Sequence, residues 1–266
     1  MNAVLSIAGS DSSGGAGIQA DIKTVSAYGL FAETAITALT AQNTCGVRGV
    51  MEASPSFVAE QIDAVFEDIP PAAVKVGMVS SAAIIETIAE RLAYHGARNI
   101  VVDPVMVATS GANLIDDDAI AALAGTLIPL ATVVTPNMPE AAVLAGFSVE
   151  DDASMVRAAH AISDAAVARG AKPAVLVKGG HAADAADDVL VDASGSETWF
   201  RGKRVLTSNT HGTGCTLSSA IASGLAQGKD LACAVSEAKE YVRGALSTGL
   251  DLGKGSGPLD HMWRFR

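Results

Sequence analysis

Aromatic side chains make up only 4% of the 266 residues, cysteines number three, and 18 basic residues face 29 acidic ones, for a formal net charge of −11. Each shortage excludes something. A core poor in aromatics has to be filled by small aliphatic side chains, which suits helices laid on buried strands. Cys45, Cys215 and Cys233 have no paired spacing, so neither a disulfide framework nor a zinc site is expected, and a reducing, cytoplasmic compartment fits. A strongly acidic chain repels phosphate backbones, so nucleic acid is not an expected partner. A polyanionic ligand could still bind in a locally positive pocket or with a metal. Long hydrophobic runs are missing too. The longest apolar span, AIAALAGTLIPLATVV (119–134), is too short to cross a bilayer and is broken by Pro129. The start MNAVLSIAGS carries no basic segment of a signal peptide. No linker, repeat or low-complexity run interrupts the chain, so one domain over 1–266 is expected.

What is present is a regular alternation. Short apolar runs read as buried strands: AVLSIAG (3–9), ETAITALTAQN (33–43), AAVKVGM (72–78), NIVVDP (99–104), ATVVTPN (131–137) and PAVLVKGG (173–180). Between them lie helical spacings, such as GGAGIQADIKTVSAYG from Gly14 and PSFVAEQIDAVFEDI (55–69). Further helices are expected from about Asp117, on either side of Gly146, after Gly214, and from about Asp230 to Leu246. Repeated strand–helix alternation predicts an α/β fold, a mostly parallel sheet with helices on both faces. DDVLVDASGSETWFRG breaks the rhythm and reads as a small edge hairpin turning at 194–196. In such sheets ligands bind beyond the carboxyl ends of the strands. Those ends carry Gly9-Ser10-Asp11, Gly77-Met78, Asp103-Pro104, Thr135-Pro136-Asn137 and Lys178-Gly179-Gly180.

The chemistry gathers at NTHGTGCTLSS. Its glycines allow a tight turn into a helix, whose first amide groups and dipole make an anion site. A thiol at that mouth, Cys215, is expected to have a lowered pKa and to take a proton from a substrate hydroxyl. The same cysteine also suits a small buried residue behind a glycine turn. In TPNMPE, Asn137 and Glu140 stand three apart at a helix start. They could hold Mg²⁺ through waters, or form a capping box. Lys178, in VKGGH, could contact transferring phosphate oxygens or be a solvated surface lysine. His181 and His211 read as polar rim residues. Gly15-Ala16-Gly17 with Ala20 imitates a dinucleotide fingerprint but follows the strand too late for that turn. It reads instead as a substrate loop leading into a helix whose N-terminus faces the ligand.

Together, AGSDSSGGAGIQADIKT, ITALTAQNT, VKVGM, DPVM, TPNMPEA, VKGGH and NTHGTGCT resemble the bacterial hydroxymethylpyrimidine/phosphomethylpyrimidine kinases, thiamine-pathway enzymes of the ribokinase superfamily. The resemblance covers essentially the whole chain. It implies a ribokinase-like fold and two successive transfers from ATP, first to a pyrimidine alcohol and then to its monophosphate. It also implies that Gln42 hydrogen-bonds the aminopyrimidine and that Met78 packs on its ring, with Gly9, Ala16 and Asp21 lining the same pocket. Cys215 becomes the catalytic base, Gly212 and Gly214 frame the anion hole, and Lys178 serves the phosphates. Asn137 and Thr213 fall on the nucleotide side, Glu140 and Asp103 on the side of Mg²⁺. The resemblance also allows a monovalent cation and implies a homodimer through part of the sheet edge or hairpin. In MVATSGANLI, Thr109 stands where the family often has lysine; this stretch is expected to form a flap over the substrate. Three rival readings are a pyridoxine/pyridoxal kinase on the same fold, a non-catalytic derivative, and a nicotinamide oxidoreductase.

Overall fold

The computed structural model describes residues 1–106, 115–180 and 186–266. Its strands are β1 (Ala3–Asp11), β2 (Phe31–Asn43), β3 (Gly46–Glu52), β4 (Ala73–Val76), β5 (Ile100–Val102), β6 (Val133–Val134), β7 (Ala174–Lys178), β8 (Asp188–Val191) and β9 (Glu197–Phe200). They form one sheet in the order β3-β2-β1-β4-β5-β6-β7-β8-β9. The six strands from β2 to β7 run parallel. Antiparallel strands flank them, β3 at one edge and β8–β9 at the other.

The helices are α1 (Gly17–Ala27), α2 (Pro55–Asp68), α3 (Ala82–Tyr94), α4 (Asp117–Ala122), α5 (Met138–Ala145), α6 (Asp152–Val167), α7 (Thr213–Ala226) and α8 (Leu231–Ser247). Alternate residues of each strand serve opposite faces. Leu5, Ile7, Val74 and Val76 meet α2, α3 and α4. Val175, Val177 and Val189 meet α5 and α6 on the same side. Val4, Ala73, Val101, Val133 and Leu176 meet α1, α7 and α8 on the other. The expected layers and the C-terminal edge hairpin are therefore present.

Some boundaries differ from the sequence reading. α1 begins at Gly17, because residues 13–16 turn around the Asp11 carboxylate and are not free to wind. The 119–134 span leaves α4 at Ala122 and continues through a wide turn at Leu123–Leu127 and a tight one at Ile128–Leu130 before β6, so the α-helix ends ahead of Pro129, which sits in the last tight turn. β3 was not anticipated. Its residues are mostly exposed, so no buried face imprints an alternation on its sequence. α5 closes on Gly146 at φ 78°, a left-handed cap.

Candidate active site

The mouth of α7 is set by Gly212, which has φ 88°. A Cβ there would collide with the Gly15 carbonyl, so only glycine brings this turn against the loop before α1. Thr213 follows as the first helical residue, its hydroxyl donating to the Thr210 carbonyl at 2.8 Å. A Cβ on Gly214 would stand 3.3 Å from Asp103 Oδ2 and 3.6 Å from Lys178 Nζ. Gly214 thus lets the helix start run directly beneath that charged pair. The first-turn amides of an α-helix have no acceptor within the helix; here the Thr213 amide donates to the Thr210 carbonyl at 3.2 Å, and Gly212, Gly214 and Cys215 line a cleft.

Cys215 lies in this first turn, half-buried, with the Gly17 amide of α1 donating to its sulfur. Two helix N-termini therefore converge on the thiol. The expected lowering of its pKa is corrected by the structure. Burial pushes the thiol up to about 11, Lys75 opposes this, and Asp21 and Asp103 add to it. The helix start was legible in the sequence; the two carboxylates packed behind it were not.

Asp103, at the end of β5, accepts from Lys178 Nζ at 3.0 Å and from the Thr135 hydroxyl at 3.2 Å. Burial would raise its pKa, but Lys178 and Lys75 hold it below the usual carboxylate range. Burial would likewise lower Lys178, yet Asp103 and Glu140 keep it above its ordinary value. It is a fixed cation, not a solvated surface lysine. Glu140 is raised by burial, with Lys178 working against the rise. Asn137 and Glu140 form a reciprocal capping box: Glu140 N–H donates to Asn137 Oδ1 at 2.9 Å and Asn137 N–H to Glu140 Oε2 at 2.8 Å. Both readings of TPNMPE meet here, since these two residues also line the cleft.

At the other end lie Gly9, Ala16, Gln42 and Met78. A Cβ on Gly9 would press to 2.5 Å from Met78 Cε, so Gly9 makes room for that side chain. Gln42 Nε2 lies 3.3 Å from His211 Nε2, which is 2.8 Å from Asp11 Oδ2. Asp11 also collects the amides of Ser13, Gly15 and Ala16 at 2.8–3.1 Å. Burial would raise its carboxyl, but His211, Ser13 and Ala16 hold it well below the usual range. The amides of the 13–16 loop thus serve Asp11, and only Gly17 looks toward Cys215. His211, expected at the rim, is buried.

Asp21 is a second correction. It was expected to line the pocket, but it is fully buried and paired with Lys75 Nζ at 2.8 Å. Its partner stands 54 residues away in an apolar strand, a pairing that no local pattern announces.

The cleft holds about 1210 Å³ and continues past Lys178 to Val205, Val242, Leu246, Lys239 and Arg243. Sequence reasoning did not single out these residues. Those on α8 share an ordinary amphipathic pattern, and Val205 lies after β9, so only the fold brings the two stretches to one cleft. Thr109 with its flap, and His181, lie outside the described residues. Among the described residues no three His, Cys, Asp or Glu side chains form a metal-binding group, and no helix is long and apolar enough to cross a membrane.

Comparison with known proteins gives four findings. Residues 11–260 match the phosphomethylpyrimidine kinase family. A Rhizobium meliloti protein named hydroxymethylpyrimidine/phosphomethylpyrimidine kinase is 52% identical over 98% of this chain and 97% of its own length. A Geobacter sulfurreducens protein, thiamine biosynthesis bifunctional protein ThiED, is 50% identical over 97% of this chain, which spans only 52% of that longer protein. Among solved structures, an ADP complex of Bacillus subtilis pyridoxal kinase superposes with a TM-score of 0.90 at 33% identity, covering 100% of this chain and 99% of that one.

Proposed function

The chain belongs to the phosphomethylpyrimidine kinase family and is a kinase of thiamine biosynthesis, and we propose that it performs both phosphorylations in this one cleft. The acceptor in the first is 4-amino-5-hydroxymethyl-2-methylpyrimidine, and in the second its monophosphate; ATP is the donor in both. We read residues 1–266 as a single catalytic domain. The observation that carries the proposal is the convergence of Cys215, Lys178 and the open start of α7 on one cleft whose far ends differ in chemistry.

The pyrimidine sits at the end formed by Gly9, Ala16, Gln42 and Met78, where an amide can bond the ring edge and a thioether can pack on its face. ATP takes the other arm, with its base against Val205, Val242 and Leu246 and its phosphates toward Asn137, Thr213 and Lys178. Phosphoryl transfer has a loose transition state, so positioning and charge neutralisation carry most of the acceleration. Lys178 and the amides of Gly212, Gly214 and Cys215 supply fixed positive charge for the phosphoryl oxygens. Cys215 takes the alcohol proton in the first transfer. The monophosphate is already an anion and has no proton to give up in the second.

The donor set around Lys178 fits Mg²⁺, which takes one or two carboxylates and completes its shell with phosphate oxygens and water. Asp103 and Glu140 are the two carboxylates here. Bound with the nucleotide, the ion would neutralise phosphate charge.

A second reading has one observation in its favour. The pyridoxal kinase superposes over the whole chain, and fold alone does not choose the acceptor. Incubating the protein with Mg²⁺–ATP and either hydroxymethylpyrimidine or pyridoxal, with products resolved by mass, separates them. Pyrimidine monophosphate followed by diphosphate is expected. Phosphorylation of pyridoxal alone would move the activity to vitamin B6 salvage.

A further inference from the structure

We infer that Lys75 and Asp21 form a buried charge pair that positions Cys215 and sets how readily its sulfur carries negative charge in the first phosphorylation. The inference rests on the kinase reading for its catalytic part only.

The geometry has two rungs. On α1, Gly17 donates its amide to the Cys215 sulfur, and Asp21 lies one turn further along. On α7, Ser219 lies one turn beyond Cys215 and donates to Asp21 Oδ1 at 2.7 Å. The Asp21–Ser219 bond therefore fixes the two helices one turn below the point where their N-termini meet at sulfur. From the sheet side, Ser6 of β1 donates to Asp21 Oδ2 at 2.5 Å, and Lys75 of β4 reaches both carboxylate oxygens at 2.8 and 3.0 Å. Lys75 and Asp21 are both fully buried. Gly77 makes room for the ammonium, since a Cβ there would stand 2.5 Å from Lys75 Nζ.

Stability does not explain this arrangement well. A buried ion pair is seldom better than apolar groups of the same size, because both ions lose their hydration. What an apolar pair could not supply is a cation behind the reacting thiol. Four charges act on Cys215 or the turn that holds it: Lys75 from β4, Asp21 from α1, Asp103 after β5, and Lys178 at the end of β7. Lys75 favours the thiolate; Asp21 and Asp103 oppose it. Lys75 itself is held protonated: burial would lower its pKa, but Asp21 keeps it above the ordinary lysine value.

The test reads the thiol directly. In full-length protein carrying Cys45→Ser and Cys233→Ser, the rate of Cys215 alkylation by iodoacetamide is measured against pH. Lys75→Met should move the profile to higher pH by about one unit, a tenfold loss of rate at fixed pH below the midpoint. Asp21→Asn should move it to lower pH. A merely structural pair would leave the profile in place or shift both variants the same way, and either result overturns the inference. Each single change strands a buried charge, so folding is checked by circular dichroism. The Lys75→Met/Asp21→Asn double variant strands none. It loses the larger cationic influence with the smaller anionic one, so its profile should still move to higher pH; an unmoved or lowered profile overturns the inference. For catalysis, Lys75→Met should lower kcat of the first phosphorylation about tenfold and leave the second unchanged. Shifted profiles in a protein that phosphorylates neither acceptor would overturn the kinase reading alone. Unmoved profiles in an active kinase would overturn the charge pair alone.

Discussion

A cysteine can take a proton only as the thiolate, and burial holds the pKa of Cys215 at about 11. Between about pH 7 and 9 the thiolate is the minor form and grows about tenfold per pH unit. The first phosphorylation should therefore accelerate with pH across that range, while the second stays nearly flat. Initial rates of the two half-reactions measured separately would show this, and equal slopes would contradict it. Glu33 gives a second residue-scale prediction. It is buried, its Oε2 has no hydrogen-bond partner among the described residues, and burial with Asp68 nearby raises its pKa to about 7. The folded state thus holds a proton that the unfolded chain releases near pH 4.5. Stability falls as pH rises between these two values, and the loss persists above them. Glu33→Gln should raise Tm by a few degrees at about pH 8 and change it little near pH 5. No gain at the higher pH would contradict the assignment. Cys215, Lys178 and Gly212 were legible because chemistry-bearing residues sit beside glycine turns at strand ends. Lys75 was visible only as one odd residue in a strand, and nothing local identified Asp21 as its partner.

The start of α7 depends on one backbone conformation. Gly212→Ala places a Cβ at φ 88° and against the Gly15 carbonyl, so the turn and the loop before α1 cannot both keep their positions. Both phosphorylations should fall together, by about a hundredfold if one set of anion donors is lost. Loss of the first alone would show that the turn serves only the thiol. At this scale the parallel strands and most helices were readable from periodicity. α1 was placed too early because the amides of Ser13, Gly15 and Ala16, which precede it, are taken by the Asp11 carboxylate, bonds formed only after the loop closes. β3 escaped because an exposed edge strand needs no apolar alternation.

The whole molecule carries a net charge of −11, whereas the residues lining its cleft include six basic side chains, Lys178, Arg201, Lys203, Arg204, Lys239 and Arg243, beside five acidic ones, Asp11, Asp103, Glu140, Asp188 and Glu240. Attraction of ATP phosphates to those basic residues is screened by salt over about 10 Å at 0.1 M. KM for ATP should therefore rise with ionic strength, whereas KM for the uncharged pyrimidine should hardly move; parallel changes in both would contradict a nucleotide arm defined by these residues. The fold class was readable from strand–helix alternation, and the site from what the strand ends carry. The arm assigned to the nucleotide was not readable, because it is assembled from α8 and the stretch after β9, which are distant in sequence. The central claim is that one cleft performs two transfers and that its thiol serves only the first. The most direct test is a mass-resolved time course with Cys215→Ala, started from the pyrimidine alcohol in one reaction and from its monophosphate in another. The account predicts at least a hundredfold loss in the first and a nearly unchanged rate in the second. Equal losses in both would contradict it and make Cys215 a packing residue.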